Sequence, residues 1–167
     1  MANESMMLSA NGRAALRRRE NVRLDYYNDQ ANNCTYGVGT LVHVGPCTPE
    51  ERARTVTSAQ VDAEMATRLQ VAERGVRRHV TRSSLTQDQF DALVSLTFNT
   101  GVAGAQPVLG AANRGDHAKV VRGMNSRVYI HPRDSSGRRL PPQRSNGLVN
   151  RRREEAAPFQ QPRRRAP

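Results

Sequence analysis

The segment from Thr86 to Gly101 constrains this chain more than any other. Thr86 followed by Gln89 is a capping box, in which each side chain satisfies a backbone N–H at the helix start. Phe90, Leu93, Val94, Thr97 and Phe98 then fall at i, i+3, i+4, i+7 and i+8, and Gly101 supplies a stop. A helix with so continuous an apolar face has to be surrounded by other elements. It predicts the central helix of a globular core.

The rest of the chain supplies those elements. Ser9 caps a helix running to about Glu20, with Leu8, Ala15 and Leu16 on its apolar side. Thr48-Pro49-Glu50-Glu51 combines a capping Thr, Pro at the first helical position and Glu three after the cap. From Ser58 to about Val80, Val61, Met65, Leu69, Ala72, Val76 and Val80 recur at helical spacing. Shorter helices are expected over 107–113, 115–125 and 147–157. Between the first two helices the period changes. Asp25 to Val44 mixes Tyr, β-branched residues and turn chemistry (Gln30-Ala31-Asn32-Asn33), with Gly37 and Gly39 suited to close backbone approaches. This predicts a small β-hairpin or meander, and Pro132–Asn146 a long loop.

The 167 residues suit one domain. With 37% apolar residues and no Trp, the core is expected from Val, Leu and Ala. No apolar run approaches the ~20 residues of a membrane span. Met1–Ala10 shows no basic region followed by an apolar stretch, so no signal peptide is expected. The net charge is +11, and residues 133–167 hold ten Arg against three acids. Such a cationic end suits a polyanion such as nucleic acid, anionic lipid or an anionic wall.

Glu20, Asp29 and Thr35 lie around the expected junction of helix and hairpin. An acid that protonates a leaving oxygen and a carboxylate that activates water are what glycosidic hydrolysis requires. Any chain with 15 acids offers such pairs, so this signal alone is weak.

The stretch Glu20-Asn21-Val22-Arg23-Leu24-Asp25-Tyr26-Tyr27-Asn28-Asp29, then Thr35-Tyr36-Gly37-Val38-Gly39, resembles the signature of phage-type lysozymes, glycoside hydrolase family 24. Gln89–Ser95 with Phe98-Asn99-Thr100-Gly101 resembles the family's central helix. Gly147-Leu148, Arg151-Arg152 and Glu155 resemble its C-terminal block. The similarity spans about residues 9–158. It implies an α+β fold, mostly helical, with a small β-hairpin lobe and a larger helical lobe flanking a peptidoglycan cleft. It also implies Glu20 as general acid, Asp29 as base for the attacking water and Thr35 as a holder of that water. The implied outcome is inversion, which needs carboxyls roughly 6.5–9.5 Å apart. Arg151 would be an inward cation paired to Glu20. Asn99, Gly37 and Gly39 would support the site, with Asn99 more a packing residue than a catalytic one. Asn21 and Thr40 stand where the family usually has Gly and His, and the family's Trp is missing, which bears on substrate subsites.

Cys34 and Cys47 flank the hairpin. They fit either two buried thiols in a reducing cytosol or one disulfide formed in an oxidising periplasm, and the disulfide is the expectation. Two Cys and the scattered His43, His79, His117 and His131 lack metal-ligand spacing, so neither metal nor cofactor is expected. The Arg runs come with no helix-turn-helix, RNP or zinc signature, so no specific nucleic acid is expected. The expected organisation is a flexible start (1–7), a lysozyme-like catalytic domain (8–158) and a basic disordered tail (159–167). Arg163–Arg165 would touch lipopolysaccharide or a membrane surface. The expected function is a bacteriolytic, monomeric muramidase of phage-induced lysis, held in the host cytoplasm until release to the periplasm. A secreted interbacterial effector, a lytic transglycosylase and a nonenzymatic wall- or nucleic-acid-binding module are the alternatives.

Overall fold

The computed structural model describes residues 2–20 and 22–160. Asn21 and most of the expected basic tail, residues 161–167, lie outside the described residues. The fold class is α+β, as the resemblance implies. In chain order the elements are α1 (Ala10–Arg19), β1 (Arg23–Asn28), β2 (Cys34–Gly37), β3 (Thr40–His43), α2 (Pro49–Arg52), α3 (Ser58–His79), α4 (Gln87–Asn113), α5 (His117–Asn125), β4 (Tyr129–Ile130), β5 (Gln143–Arg144) and α6 (Asn146–Gln160). The chain divides into two compact units: residues 15–67 with 129–145, and residues 1–14 with 68–128 and 146–167.

The first unit is built on an antiparallel sheet in the order β1-β2-β3. Tyr27 pairs with Thr35, Tyr26 with Tyr36 and Asn28 with Cys34. Thr35 and Tyr36 also pair with Leu41 and Thr40 of β3. Successive strand residues face opposite sides, so Tyr27 and Thr35 share one face while Tyr26 and Tyr36 share the other. Gly37 ends β2 at φ +62°, and a Cβ there would lie 3.1 Å from Val61 Cγ2. It therefore needs both the left-handed backbone and the missing side chain. Gly39, at φ +77°, has open space around it, so only its conformation calls for glycine. The α2 helix carries the expected capping box of Thr48 and Glu51. The long 132–146 segment is closed by a two-stranded ladder that the sequence did not announce, with Tyr129 opposite Arg144 and Ile130 opposite Gln143.

The second unit is helical. Its core gathers Phe90, Leu93, Val94, Leu96, Val108, Leu109, Val120 and Met124, each no more than 1% exposed. Thr86 and Gln89 make the expected capping box at the start of α4. Ser9 Oγ accepts from the Gly12 N–H at 2.9 Å, which fixes the start of α1. Gly101 interrupts α4 at φ 73° and ψ 164°, but the helix resumes at once rather than at residue 107.

Both expected chain ends need correction. Residues 1–7 were expected to be flexible, yet Asn3 is buried and holds three backbone groups. Its Nδ2 donates to Val80 O at 2.8 Å and Ser83 O at 2.9 Å, and its Oδ1 accepts from Leu85 N at 3.0 Å. The amide caps the end of α3 and the turn after it, satisfying groups a helix end leaves without partners. Nor does disorder begin at residue 159. Phe159 is buried within α6, its ring edge-on to His117 at 5.4 Å. No helix among the described residues is long and apolar enough to cross a membrane.

Candidate active site

Glu20, Asp29 and Thr35 all belong to the unit that holds the three-stranded sheet. Glu20 directly follows α1, and its N–H still bonds Leu16 O at 3.0 Å, so the helix sets its backbone. Its side chain is half-buried.

Asp29 ends β1. Its Oδ1 accepts from the N–H groups of Ala31 at 2.8 Å and Asn33 at 2.9 Å. This is an Asx-type turn, the chemistry that Gln30-Ala31-Asn32-Asn33 suggested. Asn32 takes a left-handed φ of 59° to complete it. Two further asparagines brace the turn. Asn28 accepts from Cys47 N at 2.8 Å and donates to Asn32 Oδ1 at 2.9 Å, and Asn33 Oδ1 accepts from Gly45 N at 3.2 Å. The sequence reading gives Asn33 a turn role only and assigns none to Asn28. Their spacing from Asp29 was the available signal.

Thr35 sits on β2 directly opposite Tyr27 and is 2% exposed. Its hydroxyl donates to Tyr27 O at 3.1 Å, which orients the oxygen and leaves its lone pairs as acceptors. On the face that Tyr27 shares, the Arg23 guanidinium stacks over the Tyr27 ring at 4.3 Å and bonds Asp25 at 2.6 Å. That hydrogen bond holds the Asp25 carboxyl below the usual carboxylate range.

Cys34, the neighbour of Thr35, is bonded to Cys47, with α-carbons 4.5 Å apart. Closing a loop of this size contributes about 3 kcal/mol in the chain-entropy account. The bond ties β2 to the segment leading into α2. Beside it, His43 Nε2 lies 3.1 Å from both carboxylate oxygens of Glu51. Donor atoms of Cys34, His43 and Glu51 come within 4.8 Å of one another. The Cys34 sulfur is spent in the disulfide and is not available as a thiolate ligand.

Arg151 and Asn99 belong to the helical unit. Arg151 Nε donates to Glu155 Oε1 at 3.0 Å, and its Nη2 donates to Ser95 O at 3.2 Å. Ser95 Oγ donates to Glu155 Oε1 at 2.6 Å. Asn99 Oδ1 accepts from Arg152 Nη2 at 2.8 Å. Arg152, which the sequence analysis did not single out, is the fully buried guanidinium, with Nε 3.0 Å from Glu155 Oε2. The signal lay in Glu155 at i+3 from Arg152 and i+4 from Arg151, one face of a helix.

Comparison with solved structures identifies the fold. The chain superposes on an endolysin from Escherichia coli phage FAHEc1 with a TM-score of 0.70 and 28% identity, over 93% of this chain and 94% of that one. It also shares its fold with the muramidase domain of SpmX from Asticaccaulis excentricus, at a TM-score of 0.67 and 24% identity, over 93% and 98% of the two chains. This is the α+β fold of lysozyme-type glycosidases. In sequence, an endolysin of Acyrthosiphon pisum secondary endosymbiont phage 1 is 29% identical over 166 residues, covering 93% of this chain and 99% of the relative. The phage lysozyme family matches residues 17–155, and the chain belongs to that family. It is an enzyme, a glycosidase of peptidoglycan.

Proposed function

We propose that the chain cleaves the β-1,4 bond between N-acetylmuramic acid and N-acetylglucosamine, with Glu20 as general acid and Asp29 as general base. Glu20 gives its proton to the glycosidic oxygen as the bond from the anomeric carbon to that oxygen breaks. A water attacks the anomeric carbon from the opposite face and loses a proton to Asp29. The new hydroxyl at the anomeric carbon has inverted configuration, as expected when acid and base act on opposite sides of the ring. Thr35 Oγ1 accepts a hydrogen bond from that water.

The observation that carries the reading is the Asp29 turn. Backbone N–H groups of Ala31 and Asn33 both bond Oδ1. The carboxylate is thereby fixed in orientation, and Oδ2 is left to take the proton. Family membership supplies the substrate class. The biological role that follows is lysis of a phage's bacterial host, the enzyme leaving the cytoplasm for the periplasm and working as a monomer. Arg163–Arg165 add an electrostatic hold on lipopolysaccharide or membrane phosphates.

Turbidity clearing of outer-membrane-permeabilised Gram-negative cells tests this, with wild type beside Glu20→Gln. The amide cannot donate the proton, so a folded Glu20→Gln protein is expected to lose about 10²–10⁴ of the rate. Near-wild-type clearing by that protein would refute the assignment. Products with anhydro ends would make the enzyme a lytic transglycosylase instead.

A further inference from the structure

The sheet has a second decorated face. Tyr26 and Tyr36 are direct cross-strand partners, one residue along from the Tyr27–Thr35 pair, so they point away from the side that carries Thr35. Their rings lie 5.5 Å apart, tilted by 33°. They form one wall of an open pocket of about 370 Å³, whose other walls include Thr55, Gln60, Glu64 and Thr67. Every one of these residues belongs to the sheet-containing unit.

The chemistry of the lining is selective. In a chain of net charge +11, no Arg or Lys among the described residues lines this pocket, while Glu64 does. An anionic ligand is therefore disfavoured. A cationic one has to approach a strongly positive protein and is opposed at long range. The remaining groups are two aromatic faces, the apolar Val56 and Ala63, a carboxylate, an amide and hydroxyls. Gln60 Oε1 accepts from Thr57 N at 2.9 Å and Thr57 Oγ1 at 3.0 Å, the capping arrangement of α3. Its Nε2 is left as a donor. Thr67 Oγ1 donates to Ala63 O at 3.0 Å and keeps its lone pairs as acceptors. Aromatic faces beside a carboxylate and an amide suit a neutral pyranose. The C–H face of the ring stacks on aromatic carbon, and its hydroxyls bond the oxygens and nitrogen. The volume lies at the lower end of the range for small-ligand pockets.

We propose that this pocket is a noncatalytic sugar site that takes a short, uncharged, N-acetylated glycan segment. That the natural ligand is a wall glycan rests on the peptidoglycan reading above. The site would hold one stretch of glycan on the face of the sheet away from Thr35, raising the time the enzyme spends on its polymeric substrate.

The experiment titrates tri-N-acetylchitotriose into full-length Glu20→Gln protein and follows backbone amides by NMR. Saturable shifts of the Tyr26, Tyr36, Gln60 and Thr67 amides are expected, with a Kd on the order of 1 mM, as befits a small open site. Glu64→Ala, an exchange on a helix surface that favours helix, should weaken those shifts about tenfold, the loss of one charge-assisted hydrogen bond. Tyr36→Leu, which keeps an apolar side chain in the strand, should abolish them. Shifts confined to residues around Asp29 would overturn this proposal and leave the catalytic reading intact. No shifts at saturating sugar, a pocket response indifferent to both substitutions, or a response to choline in place of the sugar would each overturn it too. The lysis assay of Glu20→Gln fails or succeeds independently of all these outcomes.

Discussion

Arg152 Nη2 donates to Asn99 Oδ1 across 2.8 Å, joining α6 to the end of the first stretch of α4. The guanidinium is fully buried and also pairs with Glu155 at 3.0 Å. Removing Arg152 takes the cation away from Glu155 Oε2, while Oε1 keeps Arg151 and Ser95, and breaking a buried pair in this way costs up to about 3–5 kcal/mol. Arg152→Ala is therefore expected to lower unfolding free energy in urea by about that much. A single substitution within ~0.5 kcal/mol of wild type, the range of an ordinary surface change, would contradict this role.

Asp29 has two separable duties, to close its turn and to take a proton. Asp29→Asn keeps an Oδ1 acceptor for Ala31 and Asn33 but removes the base. It is expected to keep the wild-type melting temperature and lose about 10²–10⁴ of the hydrolysis rate. Asp29→Ala removes both duties, so it should also lose stability, about 1–3 kcal/mol for two backbone donors without an acceptor. Calorimetry beside a rate assay checks this. Equal stability of the two variants would show that the turn does not depend on Oδ1.

The His43–Glu51 pair gives a pH dependence with a definite sign. Its hydrogen bond to Glu51 raises the His43 value above the ordinary one. That contribution is complete below about pH 6.5, the unfolded imidazole value, and fades as pH rises through the folded one. Glu51 is held low, first by the Thr48 N–H and then by His43. Its contribution is present above about pH 4.3, the unfolded value, and is lost as pH falls through the folded one. The melting-temperature advantage of wild type over His43→Gln should therefore peak between those two limits and shrink on either side. A constant difference from pH ~5 to ~9, across the whole imidazole titration, would contradict the pair.

The helix starts were legible because each is a local event. Thr48 with Glu51 and Thr86 with Gln89 need only residues three apart to specify their caps. Gly101 was legible as a break but not as a brief one. A single left-handed residue ends one helix, while resumption depends on the apolar residues Val108 and Leu109 finding the core. The roles of Asn3 and Phe159 were not legible because both depend on contacts with residues far along the chain. Asn3 meets Val80, Ser83 and Leu85, and Phe159 meets His117. Within Arg151-Arg152-Arg153 the resemblance implied Arg151 as an inward cation paired to Glu20, and only the rotation of α6 decides that Arg152 is a fully buried one. Of the site, the order Glu20, Asp29, Thr35 was visible as a pattern. The asparagine bracing of Asp29 and the burial of Thr35 required the folded sheet.

The central claim is direct attack by a water on the face of the sugar opposite the acid. It is tested by ¹H NMR of the first products released from peptidoglycan glycan strands, read before mutarotation. Cleavage of a β-linkage by inversion predicts that the new reducing N-acetylmuramic acid appears first as the α-anomer, with the β-anomer growing in later. Initial release of the β-anomer, or of a 1,6-anhydro end without a reducing sugar, would contradict it.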